Sequence, residues 1–167
     1  MNMLRNGMEE KPRTNKWKFA VYIGFFAGII WGGVTLIGNY FHLTLLPPGF
    51  LIEPFFSHSY LMTAHGYIMG WLAYIVASIM AALLYTAFFA KAKGPWYGIG
   101  YGLFWWCVIF LLIGPVSGMT SWIGAMDWNS LITELCLFVV WGMFIGYSIS
   151  FEFTDERIRD PRESKAK

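Results

Sequence analysis

Charged side chains are scarce in this sequence, and they are absent from four long stretches of it. Only 13% of the 167 residues are charged, about half the share that is usual in a soluble domain, whereas 57% are hydrophobic. A water-soluble fold of this size has too little interior to hide so much apolar surface. The composition excludes an ordinary soluble domain, a disordered chain and a collagen, and it indicates a multi-pass membrane protein.

The uncharged stretches are long enough to hold membrane-spanning helices. They contain 34, 37, 33 and 17 residues and are bounded by Lys18 and Glu53, Glu53 and Lys91, Lys93 and Asp127, and Glu134 and Glu152. A helix needs about 20 apolar residues to cross about 30 Å of hydrocarbon. We therefore predict an all-α integral membrane protein with four transmembrane helices, over residues 19–41, 63–90, 95–114 and 130–151.

Turn and cap residues set the predicted ends of these helices. The Pro47-Pro48-Gly49 segment follows the first helix, and Gly114-Pro115 is expected to end the third. Asn129 or Ser130 can cap the start of the fourth helix.

The basic residues give the predicted orientation, because all twelve fall on one side of this arrangement. Five precede the first helix, two lie between the second and third, and five follow the fourth: Arg5, Lys11, Arg13, Lys16, Lys18, Lys91, Lys93, Arg157, Arg159, Arg162, Lys165 and Lys167. Loops that carry an excess of Lys and Arg stay in the cytoplasm. We predict an antiparallel bundle with both termini inside. Residues 1–18 form a basic cytoplasmic tail, 19–151 the membrane domain and 152–167 a charged cytoplasmic tail.

Motifs of soluble enzymes are missing from the chain. It contains no Walker A loop, no dinucleotide fingerprint, no HExxH and no CxxC pair. The tails are expected to be too short for a soluble catalytic domain. The sequence favours a protein without catalytic activity or cofactor and without a nucleic-acid partner. Its expected partners are the lipid bilayer and either further copies of itself or another membrane protein.

Small residues recur at four-residue spacing in every predicted helix, which places them on one helix face. Inside lipid, small residues let helix backbones approach closely. The candidate packing residues are Gly24, Gly28, Gly32, Gly66, Gly70, Gly98, Gly102, Gly142 and Gly146.

Polar residues concentrate near the predicted outer ends of the helices. Three of them, His42, His65 and Glu134, are tied to helices and are the candidates for a metal site or a proton-responsive cluster. Their spacing matches no zinc motif. The alternative is that the histidines are interfacial residues and that Glu134, about one turn inside its helix, interacts with the positive helix N-terminus.

The two cysteines, Cys107 and Cys136, are expected to be buried apolar residues of the third and fourth helices.

Four stretches rich in glycine and aromatic residues form a distinctive set: WGMFIGYSISFEF (141–153), GFFAGIIW (24–31), Tyr40-Phe41-His42 and KGPWYGIGYG (93–102). With these motifs the chain resembles the YqhR family of small membrane proteins from Bacillus and related bacteria, and the stretch in the fourth helix resembles the C-terminal part of that family. The resemblance implies a multi-pass protein of the bacterial cell membrane, and it implies no particular activity, cofactor or catalytic residue.

Three functions are compatible with these features. The first is a membrane component that acts through helix–helix contacts with itself or a partner. The second is a small channel, a transporter subunit or a lipid-binding protein. The third is a membrane enzyme that uses the outer His and carboxylate residues.

Overall fold

The computed structural model describes residues 15–44, 46–47, 49–89, 94–117 and 127–159, with side chains up to 116 and, in the last range, up to 153. The described residues form helices and contain no strand. The outer parts of both tails, Lys91, Lys93 and most of the 117–127 loop lie outside these ranges.

Four helical segments are long and apolar enough to cross a membrane: Lys16–Tyr40, Ala64–Phe89, Trp96–Val116 and Trp128–Phe153. This result confirms the all-α, four-helix prediction. The complete helices are α1 (Lys16–Tyr40), the short α2 (His58–Leu61), α3 (Ala64–Phe89), α4 (Trp96–Cys107), α5 (Gly114–Ser117) and α6 (Trp128–Arg159). A 3₁₀ turn covers Phe50–Ile52.

Side-chain caps explain why two helices begin earlier than the sequence suggested. The Asn15 side chain accepts a hydrogen bond of 3.1 Å from the Trp17 N–H, so α1 begins at Lys16 rather than at residue 19. Asp127 accepts one of 3.1 Å from the Ser130 N–H and thereby caps α6, which begins at Trp128 rather than at residue 130. The cap is therefore Asp127 and not Asn129 or Ser130.

The third membrane segment does not end at Gly114-Pro115. A π-helical stretch, Val108–Ile113, joins α4 to α5, and helical structure continues to Ser117. Pro115 lies in the first turn of α5, where the missing N–H of a proline is tolerated. The π-helical stretch also changes the direction of the side chains that follow it.

Two helix pairs make up the bundle. Helix α1 packs along α3, and α4 packs along α6, with further contacts of α6 to α1 and α3. The two chain ends of the membrane domain meet, since the Phe19 and Phe153 rings lie 6.0 Å apart.

Eight of the nine predicted packing glycines touch a neighbour so closely that a Cβ would collide with it. A Cβ at Gly24 would lie 2.6 Å from the Ile79 Cα, and one at Gly98 would lie 2.9 Å from the Gly142 carbonyl oxygen. Gly66 meets α2 instead of a second membrane helix, and the ninth, Gly70, is buried on α3. The glycine faces are thus occupied within the chain.

Both cysteines are exposed on the outside of the bundle and are free thiols. The expectation that they are buried is wrong, because the glycine faces of α4 and α6 turn inwards and leave Cys107 and Cys136 on the outer faces.

Candidate functional site

A cavity of about 210 Å³ lies inside the bundle, between α1, α3, α4 and α6. This volume is far larger than the 10–15 Å³ or so that admits a single water molecule. The cavity is lined by Trp31, Thr35, Leu51, Tyr74, Ala77, Ser78, Met80, Ala81, Trp105, Ile109, Glu134, Leu137, Phe138 and Trp141. Five of the fourteen are aromatic, so the wall is largely apolar.

Residues at helical spacing provide the lining. On α6, Glu134, Phe138 and Trp141 are at i, i+4 and i+7 and share one face. Tyr74, Ser78 and Ala81 repeat this spacing on α3. The cavity is therefore the meeting place of two continuous helix faces.

The first loop closes one end of the cavity. Phe50 of the 3₁₀ turn is fully buried, with its ring 6.1 Å from the Tyr74 ring and 5.9 Å from the Phe110 ring. Leu51 next to it lines the cavity. The loop thus folds into the end of the bundle.

The side of the cavity reaches the surface of the bundle. Met80 lines it and is 58% exposed. Ala77 beside it is exposed as well. Because this helix face belongs to a membrane-spanning segment, the rim lies where lipid chains would be.

Glu134 is the most unusual lining residue. Its side chain is fully buried, and neither carboxyl oxygen has a hydrogen-bond partner among the described residues. Thr44 lies nearby but does not complete a hydrogen bond to it. Helix α6 begins at Trp128, so Glu134 is six residues, or about 9 Å, inside the helix. Glu134 therefore lies beyond the first turn of α6, and the helix dipole acts most strongly within that first turn.

Two further polar atoms of the lining are buried without a partner in the described part of the chain. They are the Tyr74 hydroxyl and the Trp105 Nε1. Buried polar atoms are nearly always hydrogen-bonded, so three such groups around one cavity point to a ligand or water as their partner.

Other polar groups at the cavity are satisfied. The Trp141 Nε1 donates to the Ser78 Oγ at 3.0 Å, and the Thr35 hydroxyl donates to the Trp31 carbonyl oxygen at 2.9 Å.

The three residues predicted for an outer polar cluster do not come together as a metal site. His42 and His65 are exposed, whereas Glu134 is buried. No group of three or more His, Cys, Asp or Glu residues suited to a metal ion occurs in the described ranges. His58 instead pairs with Glu53, with 2.7 Å between Nδ1 and Oε1.

Most of the cavity was not predicted from the sequence. Tyr74, Ser78, Trp105 and Trp141 did not stand out among the many aromatic and small residues of the helices. The usable signal was the i, i+4, i+7 spacing that puts Glu134 on the same face as Phe138 and Trp141.

Four apolar helices around an internal cavity define a small α-helical protein that crosses the membrane several times. The model of the family described as conserved membrane protein YqhR matches residues 3–164. The chain therefore belongs to the YqhR family, as the resemblance in the sequence indicated.

One curated relative is the "Uncharacterized protein YqhR" of Bacillus subtilis (strain 168). It is 29% identical over 147 residues, which cover 88% of this chain and 83% of that protein. No solved structure matches the chain.

Proposed function

We propose that the protein is a binding protein, not an enzyme, that takes up a hydrophobic small molecule or lipid in the cavity of its bundle. The observation that carries this proposal is the Glu134 carboxyl, fully buried in a cavity of about 210 Å³ with no partner among the described residues. A buried polar group without a partner is costly. A bound molecule would supply the partner.

The proposal also places the protein in the bacterial cell membrane with both termini in the cytoplasm. The positions of the Lys and Arg residues support this orientation. The family's relative in Bacillus subtilis supports a bacterial membrane.

Native mass spectrometry of the protein released gently from its own membrane tests the binding function. We expect the parent to retain a small molecule that a cavity-filling variant, Ala81→Phe, loses. Val76→Phe is the matched control, because Val76 lies on the same helix, is 57% exposed and does not line the cavity. Leu137→Trp fills the cavity from α6 and serves if Ala81→Phe does not fold. A parent that carries no molecule would contradict the proposal, and so would equal retention by the filled variants.

A second proposal is that the protein associates with a second copy or a membrane partner, as the spacing of small residues in the sequence suggested. The glycines themselves meet neighbours within the chain, so a partner would have to contact other faces of the bundle. The same spectra report the copy number. A defined oligomer or hetero-complex would support association, and a monomer without a protein partner would contradict it.

A further inference from the structure

The acid–base groups around the cavity are one-sided, because they include a carboxyl group and no base. Among its lining residues Glu134 is the single carboxyl, no basic side chain is present, and Tyr74 is the other titratable group. No Lys or Arg occurs in the segments 19–52, 54–90, 94–126 or 135–151. An ionised carboxylate in such surroundings is strongly unfavourable unless it meets a cation. These segments offer no Lys or Arg to neutralise it, and their three histidines, His42, His58 and His65, are exposed.

The aromatic wall of the cavity also favours a positively charged ligand. Trp31, Trp105 and Trp141 line the cavity together with Tyr74 and Phe138. The faces of indole and phenol rings attract cations, and the attraction grows when water is excluded. An anionic ligand would be repelled both by the rings and by Glu134.

The rim of the cavity indicates that the part of the ligand outside its charged group is hydrophobic. It is formed by exposed Met80 and Ala77 within a membrane-spanning helix, so a molecule would enter from the hydrocarbon side. A hydrophobic body is needed for that route. The unpartnered Tyr74 hydroxyl can accept one N–H of a ligand whose other N–H groups face Glu134.

Building on the proposed binding function, we infer that the cavity takes a lipophilic monovalent cation. The ligand class is an amine or ammonium group on a small apolar body, with the cationic nitrogen at Glu134 and the body against the aromatic rings. Hydrogen bonds to an ionised group are the strong ones, so the head group would dominate selectivity.

Three probes of equal length test this inference on the full chain in nanodiscs of zwitterionic lipid. They are 4-phenylbutylamine, 4-phenylbutanol and 4-phenylbutanoate, titrated by calorimetry with empty nanodiscs as the blank. We expect the amine to bind about tenfold more tightly than the alcohol, and the acid to show no saturable binding.

Glu134→Gln separates the charge from the shape of the cavity. This variant should bind the amine no more tightly than the alcohol, and saturable binding of the alcohol reports an intact cavity. Val76→Phe, which lies outside the cavity, should keep the parent's preference for the amine. Glu134→Asp, which keeps the charge, should retain the preference for the amine and replaces Glu134→Gln as the test if the latter does not fold.

The outcomes distinguish the two proposals. If the parent binds all three probes equally and Ala81→Phe weakens all of them, the cavity binds hydrophobic molecules and the cation inference is overturned. An amine preference that survives in Glu134→Gln also overturns it. If no probe binds to the parent and no molecule is retained from the membrane, both proposals fail.

Discussion

The Trp141 indole of α6 donates a hydrogen bond of 3.0 Å to the Ser78 hydroxyl of α3, and both side chains line the cavity. This bond links the α1–α3 pair to the α4–α6 pair. A second link lies nearer the chain ends, where the Tyr85 hydroxyl and the Ser150 Oγ are 3.3 Å apart. The two pairs are thus held together around the cavity by hydrogen bonds as well as by packing.

The Trp141–Ser78 bond should contribute measurably to stability. In a double-mutant cycle of Trp141→Phe and Ser78→Ala, we expect a coupling of about 0.6 kcal/mol and at most about 1.7 kcal/mol, the range found between membrane helices. Unfolding in mixed micelles, followed by circular dichroism, measures it. A coupling indistinguishable from zero would mean that the bond does not hold the pairs together.

Replacing a packing glycine should disrupt the helix pairs. Gly28 meets the Ile75 backbone and Gly102 meets the Phe138 backbone, so neither Gly28→Leu nor Gly102→Leu can be accommodated by a side-chain rotation. Overpacking of this kind costs about 1–3 kcal/mol or more. Thermal unfolding in micelles should show a lower melting temperature for both variants.

Two other glycines on the same helices are matched controls for this prediction. A Cβ at Gly33 of α1 or at Gly100 of α4 would meet nothing within 4 Å. Gly33→Leu and Gly100→Leu should therefore melt like the parent or slightly higher, because a helix gains from losing a glycine. The prediction fails if the packing and control variants melt alike.

The number and rough position of the spanning helices could be predicted because charge is excluded from hydrocarbon whatever the tertiary structure is. The helix ends were less predictable. Asp127 was a possible loop residue until the structure showed that it caps α6, and Pro115 continues a helix because a π-helical stretch precedes it. Such helix ends depend on local backbone geometry, and the sequence around them is compatible with more than one geometry.

The cavity could not be predicted, because it depends on how four helices are rotated about their axes. Glu134 was recognised as a candidate, but its burial follows from the contact of its face with α1 and α3 and from the first loop folding in at Phe50. Its grouping with His42 and His65 failed for the same reason, since the histidines lie on outward-facing positions. Helical spacing gives the face of a residue, and tertiary packing decides what that face meets.

Cysteine labelling should test the orientation of the chain. In a protein whose Cys107 and Cys136 are replaced by serine, we expect Ser59→Cys and Ser121→Cys to react with a membrane-impermeant maleimide added outside intact cells. Ser164→Cys should react only after the cells are opened, because segments with an excess of Lys and Arg tend to remain in the cytoplasm. The reverse pattern would place both termini outside.

Removing the Glu134 carboxyl should stabilise the protein when no ligand is bound. In the parent its two oxygens are buried without a partner in the described residues, and such groups cost about 1–3 kcal/mol. Glu134→Leu replaces them with an apolar side chain that suits the aromatic wall, so we expect the free energy of unfolding to rise by about 1–3 kcal/mol. Residues kept for binding commonly lower stability in this way.

The control for this change is Leu137→Met, a swap of similar volume on the same wall of the cavity. It should alter the free energy of unfolding by less than about 1.5 kcal/mol. Both variants are compared with the parent by unfolding in mixed micelles, after removal of retained molecules by extensive detergent exchange. A Glu134→Leu protein less stable than the parent would show that the carboxyl has a partner within the protein that holds the bundle together, and the argument for a binding site at Glu134 would then be lost.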